Sequence, residues 1–159
     1  MGNVVAGAIL ARYMDSLARE LKPSADAVRV DDGVIVTLPE KILFKINSAD
    51  LVPHSRRLLR KVAAILNRYP KTRLTIVGHT DNRGFASFDI HLSERRAKAV
   101  AAGLVNAGVA QQRVRIMGLG FESPVAGNDT VEGRTQNRRV EIHVAPDDKL
   151  REEDRSPTS

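Results

Sequence analysis

Apolar positions along the chain follow two rhythms. From Val4 to Leu21, Ile9, Leu10, Tyr13, Leu17 and Leu21 recur at helical spacing until Pro23 ends the run, which predicts a Gly/Ala-rich N-terminal helix. Val28 and Val30, the tripeptide Asp31-Asp32-Gly33, then Val34, Val36 and Leu38 alternate instead. That pattern predicts a hairpin turning through Gly33 at positive φ and closed by Pro39. After Ile42 to Ile46, the stretch from Pro53 to Tyr69 gathers Leu58, Leu59, Val62, Ile65 and Leu66 on one face and turns Arg56, Arg57, Arg60 and Lys61 outward. Pro70 terminates this second helix.

Leu74 and Ile76 alternate with Arg73 and Thr75 in a strand over 72–78, followed by the polar turn Thr80-Asp81-Asn82-Arg83-Gly84. Ser93 is the expected N-cap of a helix whose face, Ala97, Val100, Ala101, Leu104 and Val105, ends near Gly108. Two strands remain: 113–117, with Val114 and Ile116 inward, and 138–144, where Val140, Ile142 and Val144 alternate with Arg139, Glu141 and His143. The Gly-rich segment between them, Gly118 to Asn137, exceeds the roughly 12 to 15 residues usual for a structureless loop, a length often tied to function.

The order β-α-β-α-β-β predicts an α+β fold, a two-layer sandwich with helices on one face of a mixed sheet, preceded by the N-terminal helix and a hairpin strand. Residues 1–22 read as an N-terminal helix and linker, 28–145 as the domain, and 146–159 as a disordered charged tail without periodicity.

Composition narrows the function. A chain of 159 residues with 42% hydrophobic content supports one compact core, which disfavours a large multidomain enzyme. No run approaches the ~18 to 20 apolar residues of a membrane span, since the N-terminal candidate Val4 to Ala11 stops at Arg12. There is no cysteine, so disulfides, a thiol nucleophile and thiolate zinc sites are excluded while the redox compartment stays open. No signal-peptide pattern opens the sequence. The net charge of +6 is uneven: five acids and three bases fall in 147–159, leaving 22 bases and 14 acids in the body, a surplus of eight. Such a body favours anionic partners, whether nucleic acid, anionic lipid or acidic glycan polymers.

The richest chemistry lies in Gly78-His79-Thr80-Asp81-Asn82-Arg83-Gly84 and Leu92-Ser93-Glu94-Arg95-Arg96-Ala97. A strand end presents Asp81; fifteen residues later a helix start presents Arg96, beside the free N–H groups expected after an N-cap at Ser93. A carboxylate opposite a guanidinium suits a zwitterion, Asp81 meeting an ammonium and Arg96 a carboxylate. On spacing alone, a turn-capping Asp81 and a solvated Arg96 are the more ordinary reading. His54, His79, His91 and His143 lack metal-binding spacing, and His79 reads as a turn-packing residue; no metal or cofactor is expected. Ser93 has no identifiable base, and no carboxylate pair is placed for acid–base work, so no catalytic residue is assigned. The basic surface of Arg56, Arg57, Arg60 and Lys61 would serve nucleic acid, but 4% aromatics leave few stacking platforms and no groove-reading motif is present.

These residues carry a family resemblance. Gly78-His79-Thr80-Asp81, Gly84, Leu92-Ser93, Arg96-Ala97 and Asn137-Arg138-Arg139-Val140, with Leu43-Phe44 and Asn47-Ser48-Ala49-Asp50-Leu51 upstream, resemble the signature of the OmpA-like C-terminal domain over residues 34–145. That domain is shared by OmpA, Pal-type lipoproteins and flagellar stator proteins such as MotB. The N-terminal helix, with Gly7, Ala8, Tyr13, Met14 and Asp15, is similar to the segment preceding the domain in envelope lipoproteins of the YiaD type, although no lipobox cysteine is present.

The resemblance implies a noncatalytic module that binds peptidoglycan non-covalently, in the periplasm and associated with the outer membrane or an envelope complex. Any membrane attachment would use an anchor absent from this sequence. It implies that Asp81 holds the ammonium and Arg96 the carboxylate of the diaminopimelate in the stem peptide. Thr80, Asn47, Asp89 and Arg138 are the further ligand-binding positions, Arg138 either as a second carboxylate contact or as a brace for the long loop. Two positions depart from the pattern: Asp89 stands where the family usually has Asn, and Lys45 where Asp is common after the Phe. The rival readings are a basic nucleic-acid-binding α+β domain and an OmpA-like interaction module that has lost wall binding.

Overall fold

A computed structural model describes residues 7–155. The hairpin forms as β1 (Asp26–Val30) and β2 (Gly33–Pro39), paired so that Val30 meets Gly33. The left-handed residue of its turn is Asp31, at φ 50°, not Gly33. Gly33 is required for a different reason: a Cβ there would fall onto the carbonyl oxygen of Val144 on the neighbouring strand. The remaining strands are β3 (Thr72–His79), β4 (Val114–Gly118) and β5 (Arg139–Pro146), in a five-stranded sheet of order β1-β2-β5-β3-β4. All pairs are antiparallel except β3 with β4, whose parallel pairing needs a crossover helix.

Cross-strand register gathers the apolar positions. Val36, Ile142 and Ile76 stand opposite one another, as do Val34, Val144 and Leu74, and each of these six side chains is at most 2% exposed. Helices cover this face. Helix α1 (Ala8–Leu21) packs over β1 and β2, and α4 (Ala86–Asn106) over β3 and β4; α3 (Pro53–Asn67) lies between α1 and α4. Leu59, Val62 and Leu66 of α3 meet Val100 and Leu104 of α4 in one core with Met14, Leu17 and Leu21 of α1. Each fully buried side chain of this kind contributes about 1.5 to 3 kcal/mol. Helix α1 is therefore part of the domain core and not a linker. Its predicted beginning at Val4 lies outside the described residues.

Four expectations are corrected. Residues 148–155 are not disordered but form α6 (Asp148–Arg155), because Leu150 is buried and Asp147 Oδ1 accepts from the Leu150 N–H at 2.8 Å. Ion pairs tie it down, Lys71 to Glu153 at 2.7 Å and Arg151 to Asp32 at 2.7 Å; Ser156 onward lies outside the described residues. A helix with a single buried apolar residue leaves no periodicity to read. The long loop contains α5 (Val131–Asn137), capped by Thr130 Oγ1 on the Gly133 N–H, and α2 (Glu40–Leu43) forms directly after β2. Ile116 lies in register with Ile76 but is 39% exposed, because β4 is an edge strand. Helix α4 begins seven residues before Ser93, with Phe85 as its N-cap.

On the open face of the sheet, Glu141 accepts three contacts at once: Arg139 Nε at 3.0 Å, His143 Nε2 at 2.9 Å and His79 Nε2 at 3.2 Å. Hydrogen bonds from His143 and then His79 outweigh burial and, with Arg139, hold the carboxyl well below the usual carboxylate range. Because the folded-state pKa is depressed, this stability is complete above the ordinary carboxylate range and is lost as pH falls toward the folded value. Glu141→Gln should therefore cost about 3 kcal/mol at neutral pH, by leaving Arg139 without its carboxylate, with the difference shrinking only in acid. Urea denaturation of both proteins at pH 7 and pH 3 checks the magnitude and the sign.

Candidate functional site

The cleft forms where the C-terminal end of β3 meets the first half of α4. Strand β3 ends at His79, and the next backbone N–H, on Thr80, donates to the Gly120 carbonyl at 2.8 Å, while Thr80 Oγ1 donates to the Asp81 carbonyl at 2.9 Å. These bonds hold Asp81 at 4% exposure. Its Oδ1 accepts from the Arg83 N–H at 3.0 Å; its Oδ2 accepts from the Arg83 side chain at 3.0 and 3.1 Å and from Arg138 Nη1 at 2.6 Å. Burial works against ionisation of Asp81, but the hydrogen bonds from Arg83 and Arg138 prevail and its pKa is lowered.

Arg96 lies in the body of α4 and is 3% exposed. Its Nε donates to the Ser48 carbonyl at 3.0 Å, its Nη2 donates to Glu40 Oε1 at 3.0 Å, and its guanidinium carbon sits 5.3 Å from the centroid of the Phe44 ring. Glu40 Oε2 is in turn 2.9 Å from Arg138 Nε. The charges thus alternate in a continuous chain, Arg83, Asp81, Arg138, Glu40, Arg96. Each arginine has N–H donors beyond those engaged here, since a guanidinium carries five.

Asp89 is different. It stands in the first turn of α4 at 3% exposure, and its Oδ2 has no hydrogen-bond partner. Burial, and then the charge of Asp81, raise its pKa. The neighbouring Gly84 takes φ 100°, and a Cβ there would approach Asp89 Oδ1 to 3.2 Å, so the turn after Asp81 closes against this carboxylate. Across the cleft, Asn47 adopts φ 53° in the tight turn between Phe44 and Leu51, a left-handed conformation that Asn tolerates better than most residues.

All six candidate residues, Asn47, Thr80, Asp81, Asp89, Arg96 and Arg138, line this one cleft of about 340 Å³, with the half-exposed Phe88 among its walls. Two functional-looking residues were not anticipated. Glu40 has no local signal, since an acid in the first turn of a helix is ordinary; Arg83 reads as a turn residue, and only the fold shows it clasping Asp81. One expectation is overturned. Ser93 is not an N-cap: buried within α4, its Oγ donates to the Ile90 carbonyl at 2.8 Å and accepts from the Gly120 N–H at 3.0 Å. Arg96 is accordingly ten residues into α4, away from the free N–H groups of the helix start, and buried instead of lying at the surface. The cationic groups that the cleft offers are therefore arginine side chains and not a helix terminus. Among the described residues, no group of three or more His, Asp or Glu converges as a metal centre.

An acid whose pKa is raised on folding destabilises the fold above its ordinary pKa and ceases to do so once protonated. Asp89→Asn should therefore raise the melting temperature at neutral pH, with the gain disappearing as pH falls below the usual aspartate range. Thermal melts of the two proteins between pH 3 and pH 7.5 check both parts.

Comparison with known proteins agrees with this architecture. The chain is 38% identical over 139 residues to the probable lipoprotein YiaD of Escherichia coli, covering 84% of this chain and 64% of that protein. It is 47% identical over 103 residues to the peptidoglycan-binding protein ArfA of Mycobacterium tuberculosis, covering 65% of this chain and 32% of ArfA. The chain thus spans 64% of the one relative and 32% of the other, less than two thirds of either. The solved cell wall anchor of the type VI secretion system (T6SS) from Pseudomonas aeruginosa superposes with a TM-score of 0.71 at 31% identity, over 87% of this chain and 97% of the anchor. The OmpA family model matches residues 43–138, a segment that contains the six sequence-predicted residues of the cleft though not Glu40, and the chain belongs to the OmpA family.

Proposed function

We propose that this domain binds peptidoglycan non-covalently, with the cleft gripping the diaminopimelate of a stem peptide, and so tethers an envelope component to the cell wall. The observation that carries the reading is the charge balance of the cleft. Three guanidiniums, of Arg83, Arg96 and Arg138, face three carboxyl groups, of Asp81, Asp89 and Glu40, within one cleft of about 340 Å³. Neither a simple cation nor a simple anion complements such a lining, whereas a ligand carrying both an ammonium and a carboxylate does. Family membership and the wall-binding names of ArfA and the secretion-system anchor support the same ligand class.

Binding follows as an exchange of ion pairs. The Arg83 side chain is 64% exposed, so it leaves Asp81 at little cost, and the ligand ammonium takes its place between Asp81 and the unpartnered oxygen of Asp89. The ligand carboxylate meets the spare N–H donors of Arg96 and Arg138, which Glu40 and the Ser48 carbonyl hold in position. Asn47 and Thr80 complete the rim. Nothing in this exchange makes or breaks a covalent bond. Each charge-assisted contact contributes about 1.5 to 3 kcal/mol, which places one stem peptide in the micromolar to millimolar range. A wall polymer repeats the peptide, so several weak sites on an anchored or oligomeric protein hold by effective concentration. The location this requires is the periplasm, in association with the outer membrane or an envelope complex. Among the described residues no helix is long and apolar enough to cross a membrane.

Asp81→Asn should reduce binding of soluble diaminopimelate by about 10- to 100-fold, the loss of one charge-assisted contact. Arg96→Lys should do the same, because an ammonium cannot reproduce the guanidinium fork. The two changes engage one ligand, so together they should cost less than the sum of their separate effects. Calorimetric titration, with sedimentation on purified sacculi and a DNA mobility shift at matched salt, checks this. A folded Asp81→Asn protein that still sediments with sacculi as the parent does, or a parent that shifts DNA in preference, would sink the reading.

A further inference from the structure

A second and larger concavity, about 610 Å³, runs between α3 and α4. Its walls carry Lys45, Arg56 and Arg60, and its floor is made of small residues, Ala99, Ala102 and Gly103. The three cations are exposed, and the ion pairs of the described residues fall on other basic side chains. Arg95 and Lys98, one helical turn before Ala99 and Ala102 on α4, are exposed and equally free of such pairs. Helix α3 has no acidic residue at all. One carboxylate, of Asp50, lies among the groove residues.

The groove is continuous with the site already described. Arg96 and Leu92 line the first cleft, while Ala99, Ala102, Gly103 and Asn106 line the second, so the two follow one another along α4. At 1.5 Å per helical residue, the ten residues from Arg96 to Asn106 span about 15 Å, the length of roughly four or five extended peptide residues. The turn between Phe44 and Leu51 serves both: Asn47 faces the cleft, Lys45 and Asp50 the groove, and the Lys45 N–H donates to the Asp50 carbonyl at 3.0 Å. The volume of about 610 Å³ over a floor whose side chains are no larger than Ala, with Gly103 packed against Leu59, makes this a concave path and not a flat cationic face suited to a bilayer. The cations above that floor call for carboxylates at intervals along the chain.

We infer that this groove is an extended subsite for the acidic remainder of the stem peptide, with Lys45, Arg56 and Arg60 receiving its free carboxylates while the diaminopimelate occupies the Asp81–Arg96 cleft. The inference rests on the wall-binding reading of that cleft. Stem peptides carry carboxylates beyond those of diaminopimelate, on their glutamate residue and at an uncrosslinked end, so the groove would favour uncrosslinked peptides. Lys45, where an acid would repel such a ligand, becomes a selecting residue.

The test compares two probes, free diaminopimelate and a synthetic stem tetrapeptide, titrated calorimetrically into the parent, into Arg56→Glu/Arg60→Glu, and into Arg57→Glu as an exposed charge change on α3 outside the groove lining. The double variant should lose at least tenfold in affinity for the tetrapeptide, and the loss should diminish with added salt. Its affinity for free diaminopimelate, and its melting temperature, should stay close to the parent's. Arg57→Glu should bind the tetrapeptide within about threefold of the parent, as befits a screened charge off the path. Equal affinity of parent and double variant for the tetrapeptide overturns the subsite, as does a tetrapeptide that the parent does not bind. Loss of binding to phosphatidylglycerol vesicles in the double variant, with the tetrapeptide affinity unchanged, would reassign the groove to lipid and equally overturn it. A parent that ignores free diaminopimelate yet binds the tetrapeptide through Arg56 and Arg60 would remove the reading of the cleft and keep that of the groove.

Discussion

The close seating of α4 on the ends of β3 and β4 is the constraint on which the site depends. A Cβ at Gly78 would fall onto the Ser93 carbonyl oxygen, and one at Gly118 would lie 2.7 Å from Ser93 Oγ, so both strands must be bare where the helix crosses them. Ser93 turns that contact into a polar joint, its hydroxyl accepting from Gly120, whose own carbonyl accepts from Thr80. One short network therefore sets both the strand end that carries Asp81 and the helix that carries Arg96. Thr80 and Arg83 fix the local conformation of Asp81, but its place relative to Arg96 is set by this contact between helix and strands.

Within that frame the electrostatics are those of a buried network satisfied almost throughout. Glu40 joins Arg96 to Arg138, and Arg138 joins Glu40 to Asp81, so each charge is taken out of water with a partner beside it. The exceptions lie where a ligand would enter. Arg83, mostly in solvent, is the detachable end of the chain, and the Asp89 oxygen that lacks a partner is the place where positive charge is missing. A structural salt-bridge network would have no reason to leave that carboxylate buried and bare, at a cost in stability. The Glu141 cluster on the open face is the contrasting case. Its carboxylate is fully engaged by His79, His143 and Arg139, and it joins two strands.

Much of this was legible before any coordinates. Alternation in Val34–Leu38, Leu74–Ile76 and Val140–Val144 placed three strands and their inward faces, because a half-buried strand must repeat every two residues. The stripe Leu58, Leu59, Val62, Ile65, Leu66 placed α3 for the equivalent helical reason. Less was visible at the start of α4, where the N-cap Phe85 and Phe88 in the first turn are exposed, and at α6, where Leu150 is the only residue buried. Periodicity reports a continuous buried stripe, and these segments have none.

The division for the site is similar. Sequence by itself named four of the six charged residues that meet in the cleft, Asp81 and Arg96 by their spacing and Asp89 and Arg138 through the family signature, but not Glu40 or Arg83. It also determined that the helical surface of Arg56, Arg57, Arg60 and Lys61 would face outward, since its apolar complement faces in. Only the tertiary structure decided that Arg96 is buried on Phe44, that Glu40 links it to Arg138 from an element fifty-six residues away, and that Arg56 and Arg60 border a groove continuing from the cleft. Residue type and spacing encode what a side chain offers, but ion pairing and depth depend on which distant elements the packing of α4 against the sheet brings within a few ångströms.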